Sequence, residues 1–346
     1  MKAIRYYGPN KPLKIEDVEV PKIVDDEVLV KVKAAGICHT DLHFLDGTLV
    51  PWKGSLPITL GHEIAGEIEE VGKKVKKFKK GDRVVVNNNK SCGKCEYCRA
   101  GMENLCDNLD QHGFTIDGGY AEYVKTVERT LVKLPADVPF EKAAVLPCAV
   151  GSVYHGLVDQ AKLQKGESLL INGFGGLGTS ALQVAKHIGA KVFVVDVSKD
   201  KLKMAEEMGA DGVVDGNMAN VSNEIKKMAG GKGVNVALEL VGLGKTMENA
   251  LNSLAKTGRY VIIGYTKDSL EVNPLSLVVG EFRIMGSVSY THQNLIDVVK
   301  LAHLKKISPV VSKIVSLNEI PEVLNQMKER KIVGRVVANP EMAKQE

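Results

Sequence analysis

Four of the six cysteines in this 346-residue chain, Cys92, Cys95, Cys98 and Cys106, fall within fifteen residues in the pattern C-x2-C-x2-C-x7-C. Four thiolates so close together can close a tetrahedron around Zn²⁺ and leave no position open. Such a site would be structural, fixing a loop too short to build its own core. A redox pair and an iron–sulfur cluster are the rival readings, and the last spacing and the flanks differ from ferredoxin-type runs. Cys38 and Cys148 are far apart in sequence, and either alone reads as a small buried apolar residue. Their surroundings argue for chemistry. Cys38 opens the polar run Cys38-His39-Thr40-Asp41-Leu42-His43, His62 stands in Gly61-His62-Glu63, and Cys148 follows Pro147. A Cys–His–Cys set would leave the fourth position of a zinc ion open for water or substrate.

A second constellation is Gly173-Phe174-Gly175-Gly176-Leu177-Gly178, which follows an apolar run and opens a helix-like segment. This is the G-x-G-x-x-G arrangement with the flanks it requires. Gly173 allows the tight turn, Gly175 lets the backbone approach a pyrophosphate, and Gly178 allows close helix–strand packing. The helix N-terminus offers free N–H groups and partial positive charge to the phosphates. Asp196 ends the next apolar run, 18 residues after Gly178. An acid there would bind the adenosine ribose hydroxyls and repel a 2′-phosphate, favouring NAD over NADP.

These residues need elements to hold them. The first 150 residues carry short β-type runs (27–32, 63–71, 83–86 and 120–124) broken by Gly, Pro and Asp. They predict a compact all-β body. After Pro147 the rhythm changes, with apolar runs at 168–171, 191–195, 212–214, 234–239, 259–263 and 282–285. Amphipathic stretches at 176–188, 199–208 and 221–228 lie between them, so the pattern predicts βαβ units and a doubly wound parallel sheet. From about residue 288 a helix-like stretch (295–304) precedes mixed runs ending at 332–337, and this segment fits either domain.

Length suits two domains, and 44% hydrophobic with 25% charged residues argues against disordered and fibrous classes. The 34 glycines and 5% aromatic content suit an α/β protein with many tight turns. The balance of 46 basic against 42 acidic residues leaves +4, which gives no electrostatic footprint for nucleic acid. The six lysines in 73–80 read as a solvated turn. The N-terminus lacks an apolar signal segment, and no run of about 18 apolar residues suggests a membrane span. A reducing cytoplasm is the expected location, where clustered cysteines hold metal rather than form disulfides.

Over essentially its whole length the chain resembles the zinc-dependent, medium-chain alcohol dehydrogenases. The matching segments are Gly36-Ile37-Cys38-His39-Thr40-Asp41, Gly61-His62-Glu63, the Cys92–Cys106 lobe, Asp117-Gly118-Gly119-Tyr120-Ala121-Glu122-Tyr123 and Gly173–Gly178, in the family's order. The resemblance implies a GroES-like β-barrel catalytic domain (1–149, with a zinc lobe at about 87–112), a Rossmann domain (150–287), and a C-terminal segment (288–346) completing the catalytic domain or sheet. Cys38, His62 and Cys148 would hold a catalytic zinc, giving two zinc ions per chain. Glu63 would sit behind it as an outer or alternate ligand, and Asp41 would orient His62. Thr40 would take the alcohol's proton and pass it, through the nicotinamide ribose, to His43. His39 would lie near the pyrophosphate, Lys201 would join Asp196 at the adenosine ribose, Leu177 would press on the nicotinamide, and Arg335 would contact the cofactor phosphates. The segment 45–56, which holds the only tryptophan, Trp52, is expected at the substrate pocket.

The implied activity is reversible hydride transfer between a primary or secondary alcohol and NAD, giving an aldehyde or ketone. Cysteine at position 148, where polyol and threonine branches commonly have glutamate, points to simple alcohols. The alternatives are a polyol, hydroxyacyl-CoA or amino-alcohol dehydrogenase of the same superfamily, and a non-catalytic zinc- and nucleotide-binding derivative. By analogy with microbial relatives the chain would be a homo-oligomer, with a tetramer favoured over a dimer.

Overall fold

The strand Glu27–Ile37 is buried at nearly every position because it is paired on both edges. Glu63–Val71 runs antiparallel along one edge. Tyr123–Val127 and Arg335–Ala338 pair with its first and last residues. The sheet continues outward through Arg83–Val86 to Leu131–Lys133, and beyond Arg335–Ala338 to Val311–Val315. Register shifts between Leu29 and Val30 and between Val32 and Ala34 interrupt the central ladder. Such bulges sharpen twist and let a sheet curl around its core. That core gathers Val28, Val30, Val32, Ile64, Ile68, Val84, Val86 and Leu131 with Val336 and Ala338. A smaller sheet orders Lys14–Asp17, Lys2–Tyr6 and Ile58–Thr59, and a short ladder joins Asn89–Lys90 to Asp110–Gln111.

This computed structural model describes residues 1–342, so the last four residues of the C-terminal segment lie outside the described residues. The chain divides into two compact units. The first holds residues 1–148, 290–305 and the chain from 309 onward; the second holds 149–289 and 306–308. The C-terminal segment, which fitted either domain by sequence, pairs Val336–Ala338 with Ala35–Ile37 and so belongs to the first unit's sheet.

The second unit is a six-stranded sheet ordered Gly212–Asp215, Lys191–Asp196, Ser168–Asn172, Val234–Glu239, Leu254–Ile262 and Arg283–Gly286. Every neighbouring pair is parallel. This is the doubly wound order, and the strand order reverses between Ser168–Asn172 and Val234–Glu239. The helices Gly176–Ile188 and Val221–Met228 cover the expected residues, and Lys199–Glu207 stops one short, with Met208 as its cap.

Several boundaries differ from the sequence reading, among them the strands Glu27–Ile37 and Leu254–Ile262, which run longer than expected, and two of the differences have a clear local cause. The run expected at 120–124 becomes a strand only at Tyr123, because the amides of Gly118, Gly119 and Tyr120 bond to the carbonyls of Thr59, Gly61 and Leu60 instead of a ladder. The helix expected from residue 295 starts at His292, since Thr291 and Asn294 form a reciprocal cap.

His112 anchors the Asp117 loop. Its ring nitrogens lie 2.9 Å from the Asp117 carbonyl and 2.9 Å from Thr126 Oγ1. Burial lowers its pKa from 6.5 to about 4. The unfolded chain takes up this proton near pH 6.5 and the native chain only near pH 4. Stability therefore falls as pH drops through that window, by about 3 kcal/mol. Urea midpoints measured from pH 7 to pH 4.5 should fall, and fall less steeply in His112→Gln.

Candidate active site and metal centres

The carboxyl end of Glu27–Ile37 delivers Cys38, whose extended backbone caps the helix His39–Leu45. Asp41, one turn into that helix, folds back and accepts the Cys38 N–H at 3.0 Å. Its other partner on the same oxygen is the Tyr120 hydroxyl, at 2.6 Å. His62 enters from the turn at Gly61, whose φ of +88° suits glycine. A Cβ on Gly61 would stand 2.5 Å from the Tyr120 ring, so the turn and the tyrosine pack without space for a side chain. The Asp117-Gly118-Gly119-Tyr120 loop thus fixes His62 by backbone bonds and Asp41 by the tyrosine hydroxyl. Cys148 projects from a widened, π-type helical turn, Leu146–Gly151.

Together Cys38, His62, Glu63 and Cys148 bring one ligand atom each to within 4.8 Å of the others. The two thiol sulfurs are 3.9 Å apart. His62 is buried, and neither ring nitrogen has a hydrogen-bond partner. Asp41 Oδ1 lies 3.9 Å from His62 Nδ1, beyond hydrogen-bond length, so Asp41 holds the region mainly through Tyr120 and Cys38. Glu63 is fully buried and faces Arg335, with Nη1 at 3.3 Å from Oε1. Glu63 reaches this place because residue 36 is glycine: a Cβ there would lie 2.0 Å from Glu63 Oε2. Burial pushes the Asp41 carboxyl up to about 6 and the Glu63 carboxyl up to about 7. Two thiols, the buried Glu63 carboxyl and an imidazole without a hydrogen-bond partner converge on one point, with Arg335 facing Glu63 and Asp41 beside His62. That donor set fits a soft divalent cation such as zinc, because buried anions of this kind need a counter-charge.

Cys92, Cys95, Cys98 and Cys106 likewise lie within 4.8 Å of one another. Cys95 and Cys98 sulfurs are 3.5 Å apart, and the Lys94 and Cys95 amides point at Cys92 Sγ. Those amide bonds lower the Cys92 thiol to about 6, which favours the thiolate a metal requires. With four sulfurs converging, this lobe fits a closed zinc site.

The other expected site residues fall as follows. Thr40 Oγ1 is 3.6 Å from Cys38 Sγ, and the His39 and His43 rings pack edge-to-face at 5.2 Å on the same helix. Gly173 has φ +99°, and a Cβ on Gly178 would be 2.4 Å from the Gly173 carbonyl oxygen, while a Cβ on Gly175 would meet nothing within 4 Å. Leu177 is half-buried in the first helical turn, and Lys201 is half-buried at the start of the helix after Asp196. Asp196 accepts the Phe174 N–H at 2.7 Å and the Ser198 N–H at 2.9 Å, so it braces the glycine turn as well as ending its strand. Arg335 is in the first unit, its guanidinium against Glu63 and 3.4 Å from the Ile37 carbonyl. Trp52 is half-exposed and stands 6.1 Å from Phe114, whose ring in turn lies 4.8 Å from His62. The sequence reading missed Phe114, which carries no pattern, and the bracing role of Tyr120, although its Asp-Gly-Gly-Tyr motif was visible.

The family model of the alcohol dehydrogenase GroES-like domain matches residues 24–136, and that of zinc-binding dehydrogenases matches 176–303. An NAD-dependent alcohol dehydrogenase of Sulfurisphaera tokodaii is 37% identical over 348 residues, spanning 98% of this chain and 100% of that protein. An acryloyl-coenzyme A reductase of the same organism is 37% identical over 344 residues, spanning 98% and 100%. The crystal structure of the alcohol dehydrogenase from Aeropyrum pernix matches with a TM-score of 0.92 and 36% identity, covering 98% of this chain and 100% of that one. Two family models in order, full-length relatives and a shared fold leave one assignment: the chain belongs to the zinc-type alcohol dehydrogenases of the medium-chain dehydrogenase superfamily.

Proposed function

We propose that the protein oxidises simple primary and secondary alcohols reversibly with NAD and holds two zinc ions per chain. The observation that carries this reading is the convergence of Cys38, His62 and Cys148, with His62 buried and its ring nitrogens without a hydrogen-bond partner, which calls for a cation. Bound there, zinc would polarise the substrate oxygen and lower the pKa of its hydroxyl, while NAD would accept the hydride. The chain's own residues do the rest. Thr40, beside Cys38, would take the hydroxyl proton, and His43, on the same helix as Thr40, would receive it. With the hydride accepted by bound NAD, this route would carry away the remaining proton and leave the carbonyl product. Glu63, paired with Arg335, would offset charge at a bound metal, and Asp41 and Tyr120 fix the backbone that carries Cys38.

In the second unit, the free N–H groups at the start of Gly176–Ile188 receive the pyrophosphate, with Gly175 open above them. Asp196 and Lys201 take the adenosine ribose, Leu177 the nicotinamide face, and His39 and Arg335 the cofactor phosphates. The carboxylate of Asp196 disfavours NADP. Trp52, reaching His62 through Phe114, lines the apolar end of the substrate pocket. A second reading, reduction of a coenzyme A ester, draws on the acryloyl-coenzyme A reductase relative. A substrate panel separates the two, since faster turnover of CoA esters than of simple alcohols would displace the first.

We also propose a homo-oligomer, a tetramer rather than a dimer, in the cytoplasm. Helix Pro274–Gly280 exposes Leu275, Val278 and Val279 at 68%, 72% and 64%, beside the strand Arg283–Gly286 that ends the parallel sheet. An apolar face next to a sheet edge is ordinarily covered by another chain. Among the described residues no helix is long and apolar enough to cross a membrane, and six free cysteines suit a reducing compartment.

Four variants test these proposals. Cys38→Ser should remove one zinc by metal analysis and cost more than the roughly 10–100-fold that losing an outer partner costs, with the thermal midpoint retained. Cys95→Ser should instead lower the midpoint, and unchanged melting in both variants would undo the division between the two sites. Gly36→Ala, by displacing Glu63, should fall within roughly 10–100-fold in activity. Val278→Asp should reduce the oligomer in sedimentation velocity; an unchanged mass would remove the helix from the interface.

A further inference from the structure

Glu239 is a fully buried carboxylate that the reaction outlined above does not use. It ends the strand Val234–Glu239, directly across from Asn172, the residue before the first fingerprint glycine. Its two oxygens face different turns. Oε1 accepts the N–H groups of Val241 and Gly242, both at 2.8 Å, and the Thr246 hydroxyl at 3.1 Å. Oε2 accepts Asn172 Nδ2 at 2.7 Å, and that same amide nitrogen donates to the Thr246 carbonyl at 2.8 Å. The main chain repeats the connection: Leu240 N–H bonds to the Asn172 carbonyl, and the Ile263 and Gly264 amides both bond to the Glu239 carbonyl. Three strand ends, at residues 172, 239 and 263, are thus tied through one side chain and its own peptide.

The location gives this knot a function. Strand order switches direction between Ser168–Asn172 and Val234–Glu239, and a dinucleotide lies across the carboxyl ends of the strands at that switch. Asp196 ends the strand on the other side of Ser168–Asn172, so the adenosine half belongs there. The half beyond the pyrophosphate must then lie over residues 239–244 and 262–265. Val241 already presses on the fingerprint, since a Cβ on Gly173 would stand 2.6 Å from Val241 Cγ2. We infer that Glu239 is the positioning residue for the nicotinamide half of the cofactor, holding residues 240–244 against the glycine turn. This rests on the NAD-dependent reading.

Glutamine cannot replace it. With its oxygen kept on the Val241 and Gly242 amides, its nitrogen would face Asn172 Nδ2, donor against donor. Rotating the Asn172 amide would relieve that clash but turn an oxygen toward the Thr246 carbonyl.

Calorimetric titration of the zinc-loaded protein with NADH and, separately, with AMP tests the inference. AMP probes only the adenosine side. Glu239→Gln should weaken NADH by roughly tenfold or more and leave AMP within about twofold. Thr246→Val, which keeps the carboxylate but removes the hydroxyl's bonds to Glu239 and to Leu243 within the same 240–244 segment, should weaken NADH roughly threefold with AMP unchanged; it carries the test if the glutamine variant does not fold. Equal weakening of both ligands would mean general damage to the fold and overturn the inference, as would no change in either. Wild type that binds AMP but not NADH would overturn the NAD reading and this inference together.

Discussion

Buried negative charge without enough positive charge beside it is the constraint on which this structure turns. In the first unit, Cys38, Cys148, Asp41 and Glu63 crowd around His62, and Arg335 faces Glu63. Removing such groups from water costs several kcal/mol each unless a partner restores the lost solvation. Burial leaves its trace in the raised carboxyls of Asp41 and Glu63. The Cys38–His62–Glu63–Cys148 set fits a divalent cation, which would resolve the conflict, and the surrounding fold holds these donors in place. Tyr120 and the Cys38 amide occupy one oxygen of Asp41, while the absent side chain at Gly36 makes room for Glu63.

The second unit solves the opposite problem, the supply of unsatisfied donors to an anion. At the carboxyl ends of its strands nearly every amide is already spent. Gly173 N–H goes to Val195, Phe174 to Asp196, Leu240 to Asn172, Val241 and Gly242 to Glu239, Gly244 to Asp268, and Ile263 and Gly264 to the Glu239 carbonyl. The first turn of Gly176–Ile188 is different, because a helix leaves its leading N–H groups without intrahelical acceptors. That turn is where the proposed pyrophosphate would find free donors, aided by the helix dipole. Carboxylates do this work on both sides of the crevice, Asp196 on one and Glu239 on the other.

Each metal cluster reflects its local backbone. The Cys92 lobe draws all four sulfurs from one short segment and is braced by amides of that segment. The Cys38 cluster draws on a strand end, a glycine turn and a helical turn that meet only when the curled sheet has formed. A closed lobe can fold around its metal as a local unit, whereas an open site must be built by the domain.

What the sequence determined by itself was what short spacing and period encode: the four-cysteine lobe, the glycine fingerprint with Asp196, and the six parallel strands with their helices. Those features depend on neighbours in the chain, where a period of two or of 3.6 residues decides which side chains share a face. The Cys38–His62–Cys148 set was legible only as three residues in suggestive company, completed by family resemblance. Tertiary structure alone decided that the C-terminal strand joins the first unit, that Arg335 faces Glu63, that Phe114 stacks between Trp52 and His62, and that Glu239 ties three strand ends together. Each of these is a contact between segments remote in sequence. Its existence depends on strand order and on where a glycine leaves space, and neither quantity is written in any local run of residues.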